Sequence, residues 1–329
     1  MRAPRFWLAV AGIVLSSVSA ACAPPSTADD AGAGHDASRS LDGGREHDAS
    51  AAPEDGAASD DAFASPDTSV ASDAGSAGCG TAAATGDLLL TARDGVGVER
   101  TYLVHVPASY DGSRPLAILF AYHGAGGDEN ASRGYGFEAA VGEDAILVYP
   151  RGVPFEGFGV GWNDRCSGYD MPFFDAMLAH VSSTYCVDPQ RIFVAGFSWG
   201  GDYVTALACC RGDVIRAAAP ASCSDEFGDH ADYRTYANLP CPAVGRPALR
   251  FTHATLEDGP YAAPLFATTS ELYRSWNACG AGSSATSPAP CVRYDGCAEP
   301  VVECAYDGLG HATPSGWATD TWSFFDALP

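Results

Sequence analysis

Residues 191–210, RIFVAGFSWGGDYVTALACC, hold a serine flanked by glycines: Gly196-Phe197-Ser198-Trp199-Gly200. An apolar run of strand length precedes it, and a helical pattern starts at about Trp199. A serine on so sharp a strand-to-helix turn is held in a strained backbone with its hydroxyl exposed. Strand and helix then pass too close for a Cβ at the flanking glycines. Such a hydroxyl is a nucleophile if a base takes its proton and a carboxylate orients that base. The chemistry is acyl transfer, and it calls for no metal or cofactor.

G-x-S-x-G between a strand and a helix is the nucleophile elbow of the α/β-hydrolase fold, in which the acid and then the histidine follow the serine along the chain. Three histidines lie downstream: His230, His253 and His311. His311 follows the last apolar strand in Asp307-Gly-Leu-Gly-His311 and is the expected base. His253 precedes the favoured acids and breaks the order. For the acid, the loop after the strand at 248–253 offers Asp258 and Glu257. Asp258 is preferred because the shorter carboxylate is commoner in this role, and Glu257 stands as the alternative, with Asp295 and Asp307 behind them. The oxyanion donors are expected to be the backbone N–H of Trp199 and one from His123-Gly-Ala-Gly-Gly127, with Ala125 favoured over Gly124 and Gly126.

These residues need a sheet to hold them. Segments 88–91 and 100–106 read as an antiparallel start. The continuous apolar runs at 116–122 and 145–149 suit strands buried on both faces. Segments 217–221, 248–252 and 301–306 read as further strands. Helices are expected at 170–185, after Ser198, at 270–276 and at 318–327, and 157–168 reads as a long Gly-rich loop. Strands alternating with helices predict a mostly parallel sheet with helices on both faces and chemistry at the strands' carboxyl ends.

At this level the chain resembles the secreted polyhydroxybutyrate-depolymerase-like and feruloyl esterases among the α/β-hydrolases. The resemblance runs from Arg100 to Phe325 and is carried by Arg100-Thr-Tyr-Leu-Val-His-Val-Pro107, Tyr122-His-Gly-Ala-Gly-Gly127, Val187-Asp-Pro-Gln-Arg191 with Gly196-Phe-Ser-Trp-Gly-Gly201, the segment His253 to Tyr261, and Gly310-His311. Trp199 stands where that family usually has a small polar residue. The resemblance implies that Trp162 and Asn163 line the substrate cleft, with His123 as a further substrate-binding candidate and Phe158 and Tyr169 as aromatic neighbours. It implies feruloyl or acetyl esters of plant polysaccharide, or hydroxyalkanoate polyesters, as substrates.

The N-terminus reads as an export signal. Arg2 and Arg5 precede an apolar run and small residues ending at Cys22. Ser19-Ala-Ala-Cys22 also resembles a lipobox, so lipid anchoring at Cys22 stands beside plain secretion after cleavage near Ala21. Residues 23–78 hold twelve acids and two arginines, a net −10 of the chain's −23, and almost no large apolar residue. That composition predicts a disordered, solvated tether. Residues 79–329 are then one catalytic domain. Its acidity argues against nucleic-acid or anionic-membrane binding. A monomer outside the cell or on its surface is expected.

Twelve cysteines behind an export signal imply disulfides. Cys279, Cys291, Cys297 and Cys304 are expected to staple one segment, with metal ligation as the competing reading. Without Cys22 eleven remain, and one of Cys209 and Cys210 is the expected unpaired member. The resulting reading is an exported serine esterase. Its rivals are a peptidase on the same triad, a lipase, whose long apolar lid is not found, and a surface binding protein without turnover.

Overall fold

The computed structural model describes residues 75–157, 159–223, 245–257 and 263–329. The leader and most of the acidic tether lie outside them. Residues 75–78, assigned to the tether by composition, are bonded to the domain instead: Ser76 N–H donates to Val187 O at 2.9 Å and Gly78 N–H to Ser182 O at 3.2 Å.

Ten strands form one sheet in the order β1-β2-β4-β3-β7-β8-β9-β12-β11-β10. β1 (Gly86–Arg93) and β2 (Glu99–Val106) form the antiparallel entry. The parallel centre comprises β4 (Ala145–Pro150), β3 (Leu116–Tyr122), β7 (Val187–Phe197), β8 (Ala217–Ala221), β9 (Ala248–Ala254) and β12 (Val301–Tyr306). β11 (Cys291–Tyr294) and β10 (Ser283–Ala285) close the far edge as antiparallel strands. The segment read as a loop at 157–168 contains half of a small hairpin, β5 (Val153–Phe155) with β6 (Gly159–Gly161).

The continuous apolar runs are buried on both faces because helices cover both. β3 sends Ile118, Phe120 and Tyr122 to one core, shared with α3 (Asp170–Thr184), α4 (Trp199–Cys210) and α5 (Ala263–Trp276). It sends Ala117, Leu119 and Ala121 to the other, shared with α2 (Phe137–Val141) and α6 (Trp317–Asp326). There Phe193 stacks on Phe325 at 4.7 Å. Short α1 (Glu129–Arg133) is capped by the Asp128 side chain.

Disulfides join Cys79–Cys186, Cys166–Cys210, Cys279–Cys297 and Cys291–Cys304. The last two staple the predicted segment and consume the thiols that a metal would need. Cys209 is also disulfide-bonded, so neither member of the vicinal pair is unpaired. The free cysteine among the described residues is Cys223, just past β8. Its burial pushes the thiol pKa well up, which makes it inert.

Candidate active site

The carboxyl ends of β3, β7, β9 and β12 meet at one edge, and each contributes one piece. Ser198 follows β7 with φ 58° and ψ −130°, one of three non-glycine residues at positive φ among those described. The strain is held by close packing. A Cβ at Gly196 would overlap the Gly200 carbonyl oxygen, and one at Gly200 would overlap the Tyr122 carbonyl oxygen. The Ser198 N–H donates to Ala221 O at 2.9 Å, fixing the elbow to the end of β8.

His311 lies in the loop after β12. Its Nε2 is 2.8 Å from Ser198 Oγ, and its Nδ1 is 2.8 Å from Glu257 Oε1. The imidazole packs against the Phe197 ring at a centroid distance of 4.8 Å. The carboxylate on this line is therefore Glu257, the alternative in the sequence reading. The preferred Asp258 lies outside the described residues. Glu257 is buried, and its Oε2 accepts from Ala254 N–H at 3.1 Å. The extra methylene is accommodated because the side chain folds back onto the end of its own strand. Three hydrogen bonds hold the acid loop to the histidine loop: Thr255 N–H to Tyr306 O, Leu256 N–H to Leu309 O, and Gly308 N–H to Thr255 Oγ1.

The other candidates lie elsewhere. His253 faces Glu303 at 3.6 Å and stacks on Phe266, apart from the serine. Asp307 is exposed ahead of His311, and Asp295 sits in the turn after β11. His230 and Phe158 are outside the described residues.

In the loop after β3, Gly126 N–H is committed to Val160 O at 2.7 Å and Gly127 N–H to Gly124 O at 3.1 Å. This removes Gly126 as an oxyanion donor and leaves Ala125 and Gly124 as the amides in question. Gly124 lies against the nucleophile, since a Cβ there would sit 3.1 Å from Ser198 Cβ. Trp199 opens α4, in the first turn, where helical amides have no intrahelical acceptor and bear the positive end of the dipole.

Two expected cleft residues require correction. His123 is 0% exposed and Trp162 1% exposed, so neither lines the cleft surface. The indole Nε1–H of Trp162 donates to His123 O at 2.8 Å. Gly152 N–H donates to His123 Nε2 at 3.0 Å, which makes Nε2 an acceptor and gives Nδ1 the proton it donates to Gly124 O at 2.8 Å. Burial lowers the His123 pKa, consistent with this neutral tautomer. Both residues support the loop from beneath because the turn after β3 leaves its backbone carbonyl inside the core. Asn163 is half-buried; its N–H donates to Asp170 Oδ2 at 2.6 Å and its Oδ1 accepts from Arg165 N–H at 3.3 Å.

Sequence reasoning missed the ion pair under this region. Arg100 and Asp170 are both buried and hydrogen-bonded to one another. Arg100 also donates to Arg151 O at 2.7 Å and lies over the Phe173 ring at 4.1 Å. Burial raises the Asp170 pKa against the pull of the guanidinium. The only signal was an arginine at the head of an apolar strand.

A hydroxyl, imidazole and buried carboxylate at these distances form a proton-transfer line suited to acyl transfer. No family model matches the chain. It is 31% identical over 242 residues to a probable feruloyl esterase C of Aspergillus flavus, a match covering 70% of this chain and 84% of that protein. The feruloyl esterase C of Emericella nidulans is 31% identical over 245 residues, covering 69% and 84%. Among solved structures, an acetyl xylan esterase from Aspergillus awamori superposes with a TM-score of 0.57 at 16% identity, covering 72% of this chain and 99% of that one, which supports the fold. The chain belongs to the feruloyl esterase family of α/β-hydrolase carboxylic ester hydrolases.

Proposed function

We propose that this protein is an exported serine esterase that cleaves feruloyl or acetyl esters of plant polysaccharide through an acyl-enzyme. One observation carries the reading: Ser198, His311 and Glu257 form a continuous hydrogen-bonded line on a serine held at positive φ. Ser198 Oγ attacks the ester carbonyl while His311 Nε2 takes its proton. Glu257 steadies the imidazolium through Nδ1–H. The amides of Trp199 and Ala125 hold the oxyanion, each such donor contributing about 10²–10³ in turnover. Collapse expels the alcohol, which takes the proton from His311. A water activated by the same imidazole then attacks the acyl-serine, releasing the acid and restoring the hydroxyl.

The feruloyl esterase relatives support the acyl group, and the disulfides support an oxidising compartment reached through the N-terminal signal. The chain's N-terminus is either a free end cleaved near Ala21 or an acylated Cys22. Among the described residues no helix is long and apolar enough to cross a membrane.

The test is turnover on methyl ferulate, p-nitrophenyl acetate and short hydroxybutyrate oligomers, alongside fluorophosphonate labelling of wild type and Ser198→Ala. Methyl ferulate turnover with labelling lost in Ser198→Ala is expected. Preference for the oligomers would move the assignment to a polyester depolymerase, and an unlabelled wild type would indicate a binding protein.

A further inference from the structure

The β5–β6 hairpin, which the mechanism leaves unused, touches the oxyanion loop at three points. Gly152 N–H, just before β5, donates to His123 Nε2 at 3.0 Å. Val160 O, within β6, accepts from Gly126 N–H at 2.7 Å. Trp162 Nε1–H, just after β6, donates to His123 O at 2.8 Å. Gly159 also approaches closely, since a Cβ there would lie 3.6 Å from Gly126 Cα. Three hydrogen bonds from one hairpin therefore hold the backbone of the loop that carries Ala125.

The hairpin in turn rests on the residue beside the nucleophile. The Trp199 ring packs on Phe155 of β5 at a centroid distance of 4.8 Å. On β6 it lies directly against Gly161, where an added Cβ would overlap the ring. Gly161 pairs with Val153 across the hairpin, so the indole touches both strands. The residue whose backbone amide the proposed mechanism uses on one side of the oxyanion thus sets its ring against the hairpin bonded to the loop on the other side.

We infer that Trp199 is a positioning residue whose ring seats the β5–β6 hairpin as a clamp on the oxyanion loop, fixing the distance between the two amide donors. This rests on the esterase reading above. Donors that are correctly spaced before reaction act mainly on the transition state, so loosening them lowers kcat more than it changes KM.

The test compares Trp199→Ala, Trp199→Phe, Gly161→Ala and the double variant Trp199→Ala/Gly161→Ala. Each is assayed for p-nitrophenyl acetate kinetics and for hydrogen exchange of the peptide spanning 123–127, with kcat referred to titrated Ser198 sites. Trp199→Ala should lower kcat by up to about 10²-fold, the scale of losing one donor, with KM nearly constant. Exchange at Gly126 should accelerate. Trp199→Phe, which keeps a ring under the hairpin, should restore most of both. Gly161→Ala should lower kcat by wedging the hairpin off the indole. Once the ring is gone, adding the methyl should cost nothing further, a non-additivity that two independent packing defects would not show.

A KM rise in Trp199→Ala at unchanged kcat would make the ring a substrate contact and overturn the proposal, as would additive single variants or unchanged Gly126 exchange. The two readings separate cleanly. A wild type without ester turnover, whose Gly126 exchange still responds to Trp199→Ala, sinks the esterase reading and leaves the clamp. Full turnover with unresponsive exchange sinks the clamp alone.

Discussion

Replacing Glu257 by glutamine keeps the shape but removes the negative charge and turns one acceptor oxygen into a donor NH₂, and the structure fixes which way the amide must point. Glu257 Oε2 accepts from the backbone N–H of Ala254, a donor at the end of β9 that cannot turn away. A glutamine must therefore keep its carbonyl oxygen at that position. The reverse orientation would set two donors face to face in a buried site, at a cost of about 1–3 kcal/mol. The NH₂ then lies where Oε1 was, 2.8 Å from His311 Nδ1. It forces Nδ1 to accept and moves the ring proton to Nε2, the atom facing Ser198 Oγ. The imidazole becomes a donor toward a hydroxyl it is meant to deprotonate. A wrong tautomer of this kind lowers kcat by about 10⁴ in a serine protease triad, which corresponds to about 5 kcal/mol of transition-state stabilisation. The expected result for Glu257→Gln is a fall in kcat on p-nitrophenyl acetate of about 10³–10⁴ with little change in KM and an unchanged far-UV spectrum. Asp258→Asn, measured alongside, should keep near-wild-type kcat. If Glu257→Gln kept more than about a tenth of kcat while Asp258→Asn lost it, the carboxylate assignment would be refuted.

Three further outcomes follow from the packing. Gly200→Ala drives a methyl into the Tyr122 carbonyl oxygen and should cost at least about 1–3 kcal/mol, read as a lowered melting temperature, with loss of turnover as the elbow shifts. Removing Cys79–Cys186 frees a separation of 107 residues, so the Cys79→Ser/Cys186→Ser variant should lose about 3–5 kcal/mol in urea unfolding. His123 has a folded pKa pushed below its ordinary 6.5 by burial, so the fold favours its neutral form. Its contribution is present above pH 6.5 and is lost as pH falls through the window below, where the unfolded chain binds the extra proton. The urea midpoint should therefore drop between pH 7 and pH 5. Glu303, whose pKa lies below its ordinary 4.5 through bonds from His253, Ser270 and Tyr294 despite burial, adds acid lability only beneath that range.

Much of the fold was legible because its signals are local. The apolar runs at 116–122, 217–221 and 301–306 coincide with β3, β8 and β12, since strands buried on both faces admit few polar residues. Helix α3 follows its apolar spacing despite Pro172, which the first turn tolerates. The β5–β6 hairpin was missed because each strand has three residues, too few for a pattern, and Gly159 and Gly161 read as loop. Helices α1 and α2, of five residues each, escaped for the same reason.

By itself the sequence singled out Ser198 and His311 as candidate nucleophile and base, and the structure sets these two side chains 2.8 Å apart. Ser198 is marked by the two glycines its turn demands, and His311 is the histidine left at the end of the last strand. Which carboxylate meets His311 was beyond it, because Glu257 and Asp258 are adjacent in the chain and differ by where the loop after β9 turns. That turn is set by the Ala254 amide, three residues away, and by bonds to β12 and the loop after it, some fifty residues along the chain. The tertiary structure likewise decided that His123 and Trp162 are bonded to the loop after β3 from within the core. A side chain's type announces what it can bond, but only the packed fold decides which face it turns toward.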